Sequence, residues 1–415
     1  MKVKYYDFPE ATISDDKIKM VLEPPSIAGK DEGEFKRELQ SLLEEELVLK
    51  VSGARSLLLL VDDVTRQTPT SWILPIVMDC VSRCGIEKDK INILVATGTH
   101  RPMTLAEQIK KYGELVVKIG NIKFHNYKSD VINIGSTNSG VPVSVNKLVL
   151  DYDFILGIGS VIPHRVAGFS GGGKIVQPGI SGEETTGQTH WLSAKYEGRE
   201  ILGKIENPVR DEIEEVAKIA GLDFIINVVP NSQGKPVSVF AGDPLPTFQE
   251  AARFAKKHFS VKSKTSKIVI TDSFPADLEL WQAAKGIYSG DLVLQEGGVL
   301  ILVTPCPEGV GVEFGDLVTK LGYRGHKDVE RLVESGELDN LIVAAHLVHV
   351  GRVIKDKGVG IIVSHGIKPE LAKKIGFIPA RTLADAIDVA SSIVGPEDVI
   401  ICRCGGELLP VSSEN

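Results

Sequence analysis

The sequence has little of what would tie a protein to a membrane, to a nucleic acid or to an oxidising compartment. No apolar run approaches the roughly 20 residues a membrane helix requires, and the opening MKVKYYDFPE lacks the apolar core of a signal peptide. No basic tract offsets the 55 Asp and Glu against 47 Lys and Arg, and a formal charge of −8 argues against a phosphate-neutralising face. The five cysteines are too few and too scattered for a disulfide framework. Cys80 and Cys84 lie one helical turn apart, and Cys402-Arg403-Cys404 form a C-x-C with no second pair at zinc-ribbon spacing. They read as free thiols of a reducing compartment. Neither an internal repeat nor a low-complexity tract interrupts the chain. The expectation is a cytoplasmic protein with a small-molecule partner, no nucleic acid and no membrane.

What is present is an alternation. At 415 residues the chain is long enough for two or three domains. Apolar runs of strand length, such as SLLLLVDDVTR, INILVATGTHR, DFILGIGSVIPH, KIVITDSFPAD, GGVLILVTPCPEG and GVGIIVSHG, end in polar and glycine clusters, the pattern of buried parallel strands. Between them PIVMDCVSRCG, PVRDEIEEVAKIAG, TFQEAARFAKKHF and ARTLADAIDVASSIVG carry helical periodicity and end near Gly or Pro. The fold class is therefore α/β. The polar stretch FSVKSKTSK, Phe259 to Lys267, reads as a connector. It divides an N-terminal α/β domain, residues 1–262, from a C-terminal α/β domain, residues 263–415, with the final DVIICRCGG strand a candidate to cross back.

Ligands of open α/β sheets bind beyond the carboxyl ends of the strands, so the residues that follow each apolar run are the candidates for chemistry. VDDVTR offers Asp63 and Arg66, the latter a planar fork for carboxylate or phosphate, or else a capped turn with a surface ion pair. ATGTHR and GSVIPHR place His100 and His164 just past two strands, where an acid and a base could face each other across a ligand. From Gly168 to Lys174 the chain satisfies the phosphate-cradling pattern G-x-x-x-x-G-K, but Ile175 stands where Ser or Thr should hold magnesium. Pro178, Gly179 and Gly182 then forbid the helix a nucleotide loop requires. What remains is a flexible loop of Gly171, Gly172 and Gly173 presenting the Lys174 amine, as a covalent attachment point or as a plain hairpin-like loop. His190 follows in TTGQTHW, and DLELWQAAKG supplies Trp281, Gln282 and Lys285. The histidine spacings lack the short helical pair of a typical zinc enzyme. His346 and His349 could share a helix face but read as structural or solvated, as do His125, His258, His326 and His365.

Taken together, DDVTR, GTHR, PHRVAGFSGGGK, QTHW and WQAAKG resemble, in order, the motifs of the lactate racemase family, which uses a nickel pincer nucleotide. The resemblance implies two α/β domains with the active site in the cleft between them. It also implies a pyridinium-derived dithio mononucleotide that grips nickel, tethered through Lys174 as a thioamide, with His190 completing the metal's coordination. By the same carry-over His100 and His164 are the general acid/base pair, and hydride passes from the substrate α-carbon to the pyridinium ring and back. Arg66 and Lys285, with Gln282 beside them, would hold the substrate carboxylate. Asp63, Gly171, Gly172 and Gly173 would meet the cofactor. The family's best-known members carry Tyr where this chain has Trp281, which puts the identity of the 2-hydroxy acid in question. Separate maturation proteins are implied as partners. The rival expectations are a small-carboxylate binding protein without catalysis, and a zinc-dependent hydrolase built on the histidines.

Overall fold

Strands form where the sequence runs apolar on both faces. The computed structural model describes residues 1–119 and 121–412. A first strand, β1 (Ile18–Leu22), precedes six that form one sheet: β2 (Leu57–Asp62), β3 (Ile91–Ala96), β4 (Ile122–Phe124), β5 (Phe154–Ser160), β6 (Phe224–Pro230) and β7 (Pro236–Gly242). Their spatial order is β7-β6-β5-β2-β3-β4, parallel throughout except for the β6–β7 hairpin. A second parallel sheet contains β8 (Ser266–Asp272), β9 (Leu294–Val303), β10 (Gly358–Val363), β11 (Ile378–Ala380) and β12 (Val399–Cys402), in the order β11-β10-β9-β8-β12-β1. The expected α/β class with two α/β halves is what the chain adopts.

Both sheets are buried on both faces, so side-chain alternation selects which core a residue joins. In β2, Leu57, Leu59 and Val61 enter one core and Leu58 and Leu60 another, all fully buried. Leu58 and Leu60 share their core with Val269, Leu300, Leu302 and Ile400 of the second sheet, so one apolar mass runs between the two sheets. Each sheet reverses its strand order once, at β2/β5 in the first and at β8/β12 in the second. Crevices open at such reversals beyond the strand ends.

Six helices matter for the site. They are α1 (Leu105–Tyr112), α2 (Glu183–Ala194), α3 (Pro208–Ile219), α4 (Pro244–Phe259), α5 (Leu280–Asp291) and α6 (Leu341–Gly351). The helix α1 starts with a capping box between Thr104 and Glu107; α3 starts with an Asn207 cap followed by Pro208, a residue whose missing N–H costs nothing there. Among the described residues no helix is long and apolar enough to cross a membrane.

Three expectations about connectivity change. The polar stretch after Phe259 is not a free linker: Ser260–Ser263 is a strand that pairs in parallel with Leu409–Ser412, and the expected boundary at 262/263 falls inside it. Its Ser and Lys residues disguise a strand in which Val261 packs on the core and Ser263 is buried. The strand Val399–Cys402 does not cross back; it lies in the second sheet between β8 and β1. The segment that crosses is the N-terminal one, where β1 completes the second sheet and the Tyr5 hydroxyl donates to the Cys402 carbonyl at 2.8 Å. We propose the domain division near Ser260, with residues 1–22 belonging to the second half.

Because Leu22 is fully buried in the shared core, Leu22→Ala is expected to cost about 2–5 kcal/mol. A denaturant midpoint equal to that of the parent chain would show that β1 adds nothing to the second sheet.

Candidate active site

The crevices of the two sheets face each other and merge into one cavity. Its first wall is the turn after β2. Asp62, at the end of that strand, is buried and meets the Lys111 ammonium at 2.9 Å. Lys111, from α1, also donates to the carbonyls of Arg66 at 2.7 Å and Thr68 at 3.1 Å. Two hydrogen bonds and an ion pair thus spend this ammonium on one turn, and that turn aims Asp63, Thr65 and Arg66 inward.

Asp63 is buried with both carboxylate oxygens engaged. Oδ1 accepts from the Thr65 backbone N–H at 2.9 Å and from the Thr65 hydroxyl at 2.5 Å, and Oδ2 accepts from His100 Nδ1 at 2.8 Å. Burial alone would raise this carboxyl, but His100, with Arg66 and Thr65, outweighs burial and holds it well below the usual carboxylate range. The contact that Asp63 makes is therefore with a histidine, a role the sequence did not suggest. Arg66 Nη1 donates to Thr65 Oγ1 at 2.9 Å.

His100 and His164 follow the ends of β3 and β5, the two strands that flank β2, and both line the cavity. Their neighbours assign opposite tautomers. With Nδ1–H committed to Asp63, neutral His100 presents a lone pair at Nε2, which Gln282 Nε2 meets at 3.0 Å from the second sheet's side. His164 Nδ1 instead accepts from the Val166 N–H at 3.2 Å, so neutral His164 carries its proton on Nε2. Burial, then the charges of Lys174, Arg66 and Lys285, push His164 well below the ordinary histidine value, which keeps it neutral.

The glycine loop carries Lys174 on a short 3-10 turn, Gly172–Ile175. It is held, not flexible. The buried Arg210 guanidinium, from α3, donates to the carbonyls of Ala167, Phe169 and Gly171 and pairs with Glu214 at 2.9 Å. Asn227 Oδ1 accepts from the Gly172 N–H at 2.9 Å, and the Glu214 carboxylate accepts from the Gly173 N–H at 3.1 Å. A Cβ on Gly172, whose φ is +60°, would stand 2.7 Å from both Phe248 and Glu214; one on Gly171 would meet Val161 at 2.5 Å. The glycines are thus required by the packing beneath the loop, and Gly173 does not reach the cavity wall, although Gly171 and Gly172 do. Lys174 does reach it. Burial, then the cations Arg66, Arg210 and Lys285, drive its amine well below the ordinary lysine value, toward the neutral form.

His190 sits on α2. Its Nδ1–H donates to the Thr186 carbonyl at 2.8 Å, which fixes the ring and leaves the Nε2 lone pair for a ligand. Burial and Lys174 lower it to about 4, the neutral form that binds metals. Lys174 and His190 are the residues of the cavity suited to hold a cofactor and a metal.

From the second sheet, α5 brings Trp281, Gln282 and Lys285 onto the same cavity. Trp281 stacks on His346 at 3.8 Å between ring centroids. His346 and His349, on α6, also line the cavity and are buried, which corrects the solvated alternative. His346 Nε2 meets the Tyr323 hydroxyl at 3.0 Å; His349 meets Ser193 Oγ at 2.9 Å, and that hydroxyl donates on to the His190 carbonyl. The signal was the apolar surroundings in LIVAAHLVHVG, which leave no solvent-facing side. Of the remaining histidines, His125 meets Asn146, His326 meets Asp356, and His365 faces Asp7 at 3.5 Å. All five cysteines are free.

Two family models match the chain, the lactate racemase N-terminal domain over residues 7–201 and the lactate racemase C-terminal domain over residues 261–407. A lactate racemase of Thermoanaerobacterium thermosaccharolyticum is 29% identical over 353 residues, 84% of this chain and 82% of that protein. A lactate racemase of Lactiplantibacillus plantarum is 33% identical over 352 residues, 81% of this chain and 80% of its own. The lactate racemase apoprotein structure from T. thermosaccharolyticum matches with a TM-score of 0.87 at 27% identity, over 99% of each chain. A Thermotoga maritima protein structure shares the fold, with a TM-score of 0.75 at 20% identity over 93% of this chain and all of that one.

The Lys111 clamp generates a test. Lys111→Met strands the Asp62 carboxylate in the interior and is expected to cost about 3–5 kcal/mol. Adding Asp62→Asn should recover part of that loss in denaturant unfolding, whereas independent, additive losses would mean the two side chains do not act as a pair.

Proposed function

The chain belongs to the lactate racemase family, and from that premise we propose that it is an isomerase interconverting the enantiomers of lactate or a closely related 2-hydroxy acid. The observation that carries the reading is the convergence on one cavity of Arg66, His100, His164, Lys174 and His190 from the first sheet's side with Gln282 and Lys285 from the second's. Arg66 and Lys285 are cations suited to a carboxylate. Gln282 joins His100 across the cleft and sets where a substrate hydroxyl can lie.

The tautomers supply the proton chemistry. His100 Nε2 is poised to accept the hydroxyl proton, while neutral His164 offers its Nε2–H as a hydrogen-bond donor to the substrate oxygen. To serve as the acid for the other enantiomer His164 must first take up a proton, and the imidazolium so formed then gives one proton to the substrate oxygen and returns to the neutral ring. Asp63 stabilises the imidazolium that forms on His100, whereas burial and the cations around His164 disfavour its imidazolium, which makes that form a strong proton donor.

The residues fit the nickel pincer nucleotide. Among the described residues no group of His, Cys, Asp or Glu is gathered to hold a metal ion by itself, which disfavours the zinc hydrolase. A group that brings its own sulfur and carbon donors needs one imidazole, and His190 presents Nε2 for it. The neutral Lys174 amine is suited to covalent attachment. When bound, the group supplies an acceptor and donor for the α-hydrogen as hydride. Its assembly implies separate maturation proteins, and the reading implies a cytoplasmic enzyme. A carrier for small carboxylates would have no use for two histidines in opposite tautomers.

In protein made alongside the maturation proteins, His190→Ala should lose nickel while His100→Ala and His164→Ala keep it and lose about 10²–10⁴-fold in racemisation in both directions. Lys174→Ala should abolish the mass increment of the intact protein. Equal nickel loss from all three histidine variants would point to a three-histidine metal site instead. Trp281→Tyr is expected to change the ranking of kcat/KM among 2-hydroxy acids without changing nickel content; an unchanged ranking would put the ring outside the substrate's reach.

A further inference from the structure

Beyond the strand β12 the chain makes a turn that the proposed chemistry leaves unused, Cys402-Arg403-Cys404-Gly405-Gly406-Glu407. The turn is built to tight tolerance. The N–H groups of Cys404 and Gly405 donate to the Asp272 carboxylate, at 3.1 and 2.7 Å, at the end of β8. A Cβ on Gly405 would lie 2.3 Å from the Asp272 carbonyl oxygen, and one on Gly406 would lie 2.6 Å from that of Ser273. Cys404 takes a φ of +53°, a left-handed conformation that costs energy in a residue other than glycine. All this holds one side chain in place, Glu407.

Glu407 is 2% exposed, and its Oε2 has no hydrogen-bond partner. It lines a second cavity behind the first, and Arg66, Gln282 and Lys285 stand in the wall common to both. An unpartnered carboxyl at this depth is expensive unless charges of opposite sign stand near it. Here they are the two cations to which the proposed function gives the substrate carboxylate.

We propose that Glu407 is a positioning residue that acts through Lys285, keeping its ammonium charged in the interior so that it can grip a substrate carboxylate. The inference rests on the proposed function for that last clause alone. The groups facing Lys285 are Arg66 and Asp63 from the turn after β2, Glu407 from the turn after β12, and Lys174 and His164 across the cavity; Asp277 shares the second cavity's wall. Burial, then Arg66, bring Lys285 down to about 7, with Glu407 and Asp63 opposing the fall. Burial brings Glu407 up to about 7, with Lys285 and Arg66 opposing the rise. Asp63 is already committed to His100 and Thr65, so Glu407 is the carboxylate left for Lys285.

Removing the negative charge should therefore let Lys285 lose its proton at lower pH. In the purified chain, labelling of Lys285 by dilute acetic anhydride, followed by peptide mass spectrometry, reports the fraction of neutral amine against pH. Glu407→Gln should move the labelling midpoint down by about one pH unit, and Glu407→Asp should bring it back toward the parent value. In matured enzyme the same Glu407→Gln should raise KM for lactate about tenfold above neutral pH, with kcat little changed, since a one-unit shift is a tenfold change in charged fraction. A labelling midpoint that stays put in a folded Glu407→Gln protein overturns the inference, as does a midpoint that moves equally in Glu407→Gln and Glu407→Asp, which marks a merely structural role. Lys285→Met separates this from the reading it rests on: if KM for lactate is unmoved by that variant, Lys285 does not hold the substrate carboxylate, whatever Glu407 does to its charge.

Discussion

The active-site geometry hangs on one buried ammonium. Lys111 binds the end of β2 and two carbonyls of the turn that follows, and from that turn the order propagates through side chains. Thr65 orients Asp63, Asp63 fixes the tautomer of His100, and His100 meets Gln282 on a helix of the other sheet. A single cation at the back of a turn thereby sets which nitrogen of a histidine faces the cleft, and couples the first sheet to the second through polar contacts. A loose turn would leave the same residues on the cavity wall with their protons unassigned.

The cavity concentrates positive charge in an interior where charge is costly. Arg66, Lys174 and Lys285 stand together with Arg210 behind them; Arg66, Arg210 and Lys285 lower the proton affinity of Lys174, and Arg66 lowers that of Lys285. Lys174, on which three cations act, is the amine for which a neutral state is chemically useful. The histidines inherit the same field. His164 and His190 are kept neutral by burial first and by Lys174 next, which suits one to proton exchange and the other to coordination.

Much of this was legible in the sequence because strand ends carry the chemistry of open α/β folds, and the apolar runs that mark strands are local signals. DDVTR and GTHR sit at such strand ends, whereas WQAAKG lies on a helix and is tied to the site only by the family resemblance. What could not be read depends on partners distant along the chain. Lys111 and Arg66 are 45 positions apart, and nothing in LAEQIKKY distinguishes the lysine that turns inward. Arg210 and Glu214 have the spacing of an ordinary surface ion pair, yet Arg210 is buried beneath the glycine loop and stacks on Phe248. The same limit makes a pairing strand, Ser260–Ser263, read as a linker, because its one partner, Leu409–Ser412, lies about 150 residues further along the chain.

The placement of β1 beside β12 bears on how the chain acquires its structure during synthesis. The first sheet draws all its strands from residues 57–242 and can assemble as soon as that stretch has emerged. The second sheet cannot close until residues 399–402 are available, because β12 separates β1 from every other strand of its sheet. Until then β1 has no strand of its own sheet beside it, and the closure of the long loop between residues 22 and 399 is deferred. Of the strands in the two six-stranded sheets, β1 therefore waits over the longest stretch of chain for a partner, and its docking is set by topology rather than by local sequence.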